Sequence, residues 1–287
     1  MMTGHFAGLP LDHPLIMGIV NVTPDSFSDG GETFDHKLAI ERGFKQIQEG
    51  ADIIDVGGES TRPGSVPISQ EEEIKRVLPV VKALAEEGSV VSIDTRRSSV
   101  MRTALDSGAK IINDISALTQ DTCSLKIAAT SKASVVLMHM KGRPYSMANN
   151  AEYVNVVKEV NEYLGSRILA CLSAGIEKHR ICIDPGIGFA KSPKHNFQIL
   201  DNIPEFLQHS CPVMVGVSRK FGLHKASDHR LKESISLALK AYFFYSLGHD
   251  VGGIGRYRPG QSALPGEIDK TVSPGPVFPR PACHGRQ

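Results

Sequence analysis

The chain has almost no net charge: 32 Lys plus Arg stand against 31 Asp plus Glu in 287 residues, a formal charge of +1. No broad basic field exists to hold a nucleic-acid backbone or an anionic membrane surface, so an anionic ligand must be gripped locally. No apolar run is long enough to span a bilayer, and the opening MMTGHFAGLPLDHPL has neither the basic nor the apolar stretch of a secretory leader. A cytoplasmic location is expected. The five cysteines, at 123, 171, 182, 211 and 283, include no Cys-x-x-Cys pair and read as buried reduced thiols. The 11 histidines include no His-Glu-x-x-His or other ligand spacing, which argues against a His-based metal site. An early Gly-x-Gly-x-x-Gly turn is also missing, its nearest approach being Gly186 and Gly188 followed by Lys191.

What is present is a repeated pattern. With 41% hydrophobic and 22% charged residues, the chain can bury a sizeable core. Ile16-Met17-Gly18-Ile19-Val20 reads as a buried strand, ends on Asn21 and opens into a loop of Thr, Pro, Asp, Ser and Gly. The same design recurs. Ile53-Ile54 leads to Asp55, Val90 to Ile93 to Asp94, Ile111-Ile112 to Asn113, Val135 to Met138 to His139, Ile181 to Ile183 to Asp184, and Val213 to Val217 to Ser218.

Between these runs the period becomes helical. Ile40, Phe44 and Ile47 share a face, as do Ile74, Val77, Leu78, Val81 and Leu84, opened by Ser69 and Glu72 in a capping box. Tyr153, Val157, Val160, Leu164 and Ile168 line a further helix, and Ile235, Ala238, Leu239 and Tyr242 another. Strict alternation of strand and helix means a parallel sheet covered on both faces, either a TIM barrel or a doubly wound sheet. The missing glycine fingerprint disfavours the second. In a barrel every strand delivers its C-terminal residue to one mouth, so seven polar strand ends converge there. Any one of them has a plainer use: Asp184 before Pro-Gly suits a turn, and Asn113 or Asp114 suits a cap.

The motifs resemble those of the dihydropteroate synthase family, pterin-binding enzymes built on a TIM (β/α)8 barrel. They are NVTPDSFSDGG at 21–31, ADIIDVGGESTRPGS at 51–65, SIDTR at 92–96, IINDIS at 111–116, VVLMHMKGRP at 135–144, ICIDPGIGFAKS at 181–192 and VGVSRK at 215–220. The resemblance runs from about Pro14 to Leu247. It implies a transferase that joins a dihydropterin diphosphate to p-aminobenzoate, a sulfonamide target and a homodimer, with no nucleic-acid or membrane partner. Its pterin pocket falls on Asp94, Asn113, Asp184 and Lys220, with Ile115 and Met138 packed around the ring. Carboxylates suit that edge because the amino-pyrimidine presents paired N–H donors. Thr61, Arg62, Phe189, Lys191, Ser218 and Arg219 fall where the family shapes the arylamine site, and Lys220, Arg62 and Asp94 stand nearest the chemistry. The implied cofactor is Mg2+, touching Asn21 and otherwise held by diphosphate and water.

The resemblance stops near His249. The family's eighth strand ends in Arg-x-His, whereas this chain continues with glycines at 252, 253 and 255 and prolines at 259, 265, 274, 276, 279 and 281. A pterin-binding barrel over 1–248 and an irregular Gly/Pro-rich tail over 249–287 are expected, with the barrel incomplete at its eighth β/α unit and strands one and seven left with bare edges. Three readings stay open: a synthase in which Arg256 or Arg258 replaces the anion contact, a pterin-binding methyltransferase relative, and a catalytically impaired remnant. The STRPG and SRK segments favour the first.

Overall fold

Short β-branched runs alternating with amphipathic stretches fold as that pattern requires. A computed structural model describes residues 4–23, 36–60, 66–142 and 151–216, and the backbone of 243–248. All of them lie in one compact unit, Met1–Gly253. An antiparallel hairpin, β1 (His5–Phe6) and β2 (Leu9–Pro10), comes first. The barrel strands are β3 (Ile16–Asn21), β4 (Ile53–Gly57), β5 (Val90–Asp94), β6 (Ile111–Asp114), β7 (Ser134–Met138), β8 (Ile181–Asp184), β9 (Val213–Gly216) and β10 (Phe243–Gly248). They pair in the order β10-β3-β4-β5-β6-β7-β8-β9, all parallel, and the sheet closes on itself. Between them run α1 (His36–Gln48), α2 (Gln70–Glu86), α3 (Ser98–Asp106), α4 (Ser124–Thr130), α5 (Val156–Ser173) and α6 (Pro193–Asp201).

Strand alternation divides the core in two. Met17, Ile53, Ile111, Val136, Cys182 and Met214 point into the barrel, where they form one apolar cluster with Leu15 and the wholly buried Phe6. The Ala7 backbone N–H donates to Ser134 Oγ at the start of β7 (3.2 Å), so the hairpin plugs the N-terminal end of the barrel. Residues one step out of phase, among them Ile54, Val56, Ile93, Ile112, Leu137 and Ile183, face the helices and pack with Val77, Leu84, Val160 and Leu164. Each such large side chain stabilises the fold by about 1.5–3 kcal/mol relative to an exposed one.

Helix starts follow local chemistry, with two departures. Ser69 caps α2 by accepting from the Glu72 N–H, but the Glu72 carboxylate turns to Arg76 Nε (2.9 Å) instead of completing a capping box. Tyr153 precedes α5, which begins at Val156 and is capped by Asn155. Among the described residues no helix is long and apolar enough to cross a membrane. Cys171, Cys182 and Cys211 are buried free thiols, and burial pushes Cys171 and Cys211 up to about 11; Cys123 is exposed, contrary to expectation.

The eighth position also differs from the sequence reading. β10 pairs with β9 from Phe243↔Val213 to Ser246↔Gly216 and with β3 from Tyr245↔Ile16 to Gly248↔Ile19. The edges of β3 and β9 are therefore covered. Backbone donors and acceptors at a sheet edge demand partners, and Phe243-Phe244-Tyr245 has strand propensity ahead of the Gly-rich region. The helix expected over Ile235 to Tyr242, any helix after β10 and the 249–287 tail lie outside the described residues.

Candidate active site

The strand register sets a row of polar side chains at the C-terminal mouth. Asn21 stands opposite Gly57, Gly57 opposite Asp94, and Asp94 opposite Asn113. A Cβ placed on Gly57 would lie 3.5 Å from Asn21 Oδ1 and 3.4 Å from Asp94 Oδ2. The bare glycine thus lets the amide and the carboxylate approach one another. Farther round, Met138 pairs with Asp184, and both are buried. Ile115, just after β6, is buried as well, while Phe189 is half-buried in the loop after β8.

One layer below, Asp55 accepts a 2.9 Å hydrogen bond at Oδ2 from Asn113 Nδ2, reaching from β4 to β6 across the inward face of β5. Burial raises the Asp55 pKa, an effect that Ser92 and Asn113 partly offset. Asp94 is held well above the usual carboxylate range by burial first, then by the like charges of Asp55, Glu73 and Asp114, against the opposing pull of Arg96. The mouth of a nearly neutral chain is therefore acidic. It suits a ligand edge rich in N–H donors, or one that gains positive charge.

Asp114, next to Asn113, has a different task. Its Oδ1 accepts from the Ser116 N–H and hydroxyl (both 2.7 Å) and its Oδ2 from the Leu118 N–H (3.0 Å), capping the turn after β6. Asp184 combines both uses: at the inward strand end, its Oδ1 also accepts from the Gly186 N–H at 2.7 Å. Gly186 sits at φ +71°, and a Cβ there would fall 2.0 Å from the His139 carbonyl oxygen, so only glycine fits.

That carbonyl belongs to a second buried cluster. Lys191 Nζ donates to the backbone oxygens of His139 (3.2 Å), Gly186 (3.0 Å) and Phe189 (3.0 Å), and lies 2.9 Å from His139 Nδ1. It is buried and is no solvated loop charge. It ties the loops after β7 and β8 together. His139, out of phase with Met138, packs edge-on against Tyr163 of α5 with ring centroids 5.0 Å apart, and so leaves the set of converging strand ends. Burial, with Lys191 and Lys141 nearby, holds its pKa down to about 2.

Motif reading missed an ion-pair clamp around Glu59. The Glu59 carboxylate receives Arg96 and Arg97, and Arg97 also reaches Glu73 and the Ile68 carbonyl (2.6 Å). Thr95 Oγ1 donates to Glu73 at 2.6 Å and Arg96 to Gln120 at 2.9 Å. The loops after three successive strands, β4, β5 and β6, are thereby joined. The available signal was a Glu beside Gly-Gly and two adjacent arginines after a strand end.

Thr61, Arg62, Ser218 and Lys220, together with Arg219, Arg256 and Arg258, lie outside the described residues. Among the described residues no group of three or more His, Cys, Asp or Glu is placed to hold a metal. The Asn21 amide oxygen and the Asp94 carboxylate oxygen are nevertheless hard donors flanking one gap. That sparse set suits Mg2+, which takes one or two protein oxygens and fills its octahedron with phosphate and water.

The pterin binding enzyme family profile matches residues 17–244. The dihydropteroate synthase of Escherichia coli is 44% identical over 238 residues, 81% of this chain and 84% of that protein. The Xanthomonas albilineans dihydropteroate synthase, solved with 4-aminobenzoic acid, superposes with a TM-score of 0.76 at 41% identity, covering 85% of this chain and 91% of the other. The Yersinia pestis enzyme, solved with a sulfonamide drug complex, gives 0.75 at 37% identity, with 85% and 92% covered.

Proposed function

The chain belongs to the pterin binding enzyme family, and from that membership we propose that it is a dihydropteroate synthase. It joins 6-hydroxymethyl-7,8-dihydropterin diphosphate to p-aminobenzoate, giving 7,8-dihydropteroate and diphosphate. The observation that carries the reading is the row of Asp94, Asn113 and Asp184 at one mouth, beside buried Met138 and Ile115. Carboxylates and an amide accept from the ring's N–H edge, and the apolar side chains receive its faces.

In the reaction the C–O bond to diphosphate breaks and its electron pair leaves with the diphosphate. The remaining methylene cation is spread over the pterin ring, and the arylamine lone pair forms the new C–N bond before the nitrogen releases a proton. The acidic mouth favours that cation, and rigid strand ends hold the two substrates in line. Motif position assigns Lys220 to the pterin and leaving group, and Arg62, Thr61, Ser218, Phe189 and Lys191 to the arylamine side, where Lys191 acts by fixing the loop around Phe189. Mg2+, when bound at Asn21, would neutralise charge on the departing diphosphate. The same reading carries a cytoplasmic homodimer, whose assembly light scattering on the purified chain would check.

Asp94→Ala and Asp184→Ala should each weaken binding of a pterin analogue at least tenfold in calorimetry, since each leaves ligand N–H groups without an acceptor at about 1–3 kcal/mol apiece. Unchanged affinity in both variants would remove the pocket assignment.

A further inference from the structure

Asn113 is the amide beside Asp94 in the row, and its two ends are not equivalent: Nδ2 points down to Asp55 Oδ2 at 2.9 Å. Asp55 lies on β4 at an inward position, between the apolar Ile53 below and Gly57 at the mouth. It is 4% exposed, and among the described residues no cation contributes to its protonation balance. Its other oxygen, Oδ1, has the Ser92 hydroxyl facing it from the neighbouring strand. A buried carboxylate with no ionic partner among the described residues is costly to the fold. Its contribution is therefore sought in the site.

Resting on the pterin-binding reading, we propose that Asp55 is a positioning residue that sets the end of the Asn113 amide presented to the ligand. With one N–H committed to Asp55, the amide presents Oδ1 and its second N–H to the mouth. Asn113 Oδ1 then joins Asp94 and Asp184 as a third acceptor for a donor-rich ring edge, so Asp55 tunes specificity without touching the substrate. Were the amide reversed, its carbonyl would face the Asp55 carboxylate, two acceptors in contact without a proton between them. With Asp55 ionised, that geometry favours the orientation seen.

The test is a double-mutant cycle on the full chain, read as calorimetric affinity for a pterin analogue. Asp55→Ala should weaken binding about tenfold, and Asn113→Ala by at least as much. The double variant should be no weaker than Asn113→Ala, because Asp55 acts through that amide. Asp55→Asn, whose carbonyl can still accept from Asn113 Nδ2, should bind within threefold of the unmodified chain, a rescue that a merely structural loss at this position would not give. If Asp55→Ala does not fold, the Asp55→Asn result still decides: a tenfold loss there would show that charge, not amide orientation, is what Asp55 supplies. Additive losses in the cycle would overturn the proposal too. An unmodified chain that binds no pterin would instead refute the functional reading, which separates the two failures.

Discussion

At the scale of single residues, neighbours with similar side chains take opposite roles because strand phase separates them. Asn113 points inward to Asp55, whereas Asp114 points outward and caps the next turn. The IINDIS motif locates both, and only the register decides between them. Lys191 shows the limit of local reading. Its fixed partners include His139, 52 residues away in the chain, a juxtaposition that no spacing rule shows. The pair carries a pH prediction. The folded pKa of His139 lies at about 2, below an unfolded value of about 6.5, so below that pH the unfolded chain takes up a proton the native state refuses. Stability from His139 is thus complete above pH 6.5 and falls by about 1.4 kcal/mol per unit as pH drops toward 2. The raised buried carboxylates Asp55, Asp94 and Asp114 act with the opposite sign, so the variant difference isolates the histidine. Chemical denaturation of the unmodified chain and His139→Asn at pH 7 and pH 5 should show the gap between them shifting by about 2 kcal/mol in favour of the variant. A gap that does not change with pH would contradict a buried neutral imidazole.

At the scale of elements, the seven strand runs up to β9 and the helix faces between them were legible because their periods differ sharply. The apolar faces at Val77 to Leu84 and Val157 to Ile168 are where the periodicity puts them. The plug hairpin was not legible: strands of two residues have no period, and Phe6 is explained by what lies below the barrel. β10 was missed for another reason, since its aromatic run continues a helical-looking stretch and only closure of the sheet selects the strand. Among the loops, the Glu59, Arg97 and Glu73 clamp joins elements whose ionic partners are 24 and 38 residues apart. Arg97→Ala leaves the buried Glu73 without a cation and Glu59 with Arg96 alone, and should cost about 3 kcal/mol, seen as a lower urea midpoint at unchanged m-value. Arg97→Lys should recover only part of this, because one ammonium cannot reproduce the guanidinium fork. A loss below about 0.5 kcal/mol in Arg97→Ala would show the clamp to be a solvated ion pair.

At the scale of the whole molecule, a chain with a formal charge of +1 concentrates acid at one end of its barrel and apolar bulk at the other. The charge balance of the sequence hides this separation, which arises when parallel strands bring all their C-terminal ends together. That polarity is what a two-substrate condensation through a cation requires: a closed floor and an acceptor-lined mouth. The measurement that bears most directly on it is turnover by the purified full-length chain, following 7,8-dihydropteroate with dihydropterin diphosphate, p-aminobenzoate and Mg2+ varied in turn, with and without a sulfonamide. Product should form only when both substrates are present, Asp94→Ala should lower kcat/KM by about a hundredfold or more, corresponding to about 2.7 kcal/mol, and the sulfonamide should raise the apparent KM for p-aminobenzoate while leaving kcat unchanged. A folded chain that binds the pterin yet forms no product, or inhibition that rising p-aminobenzoate does not relieve, would contradict the assignment.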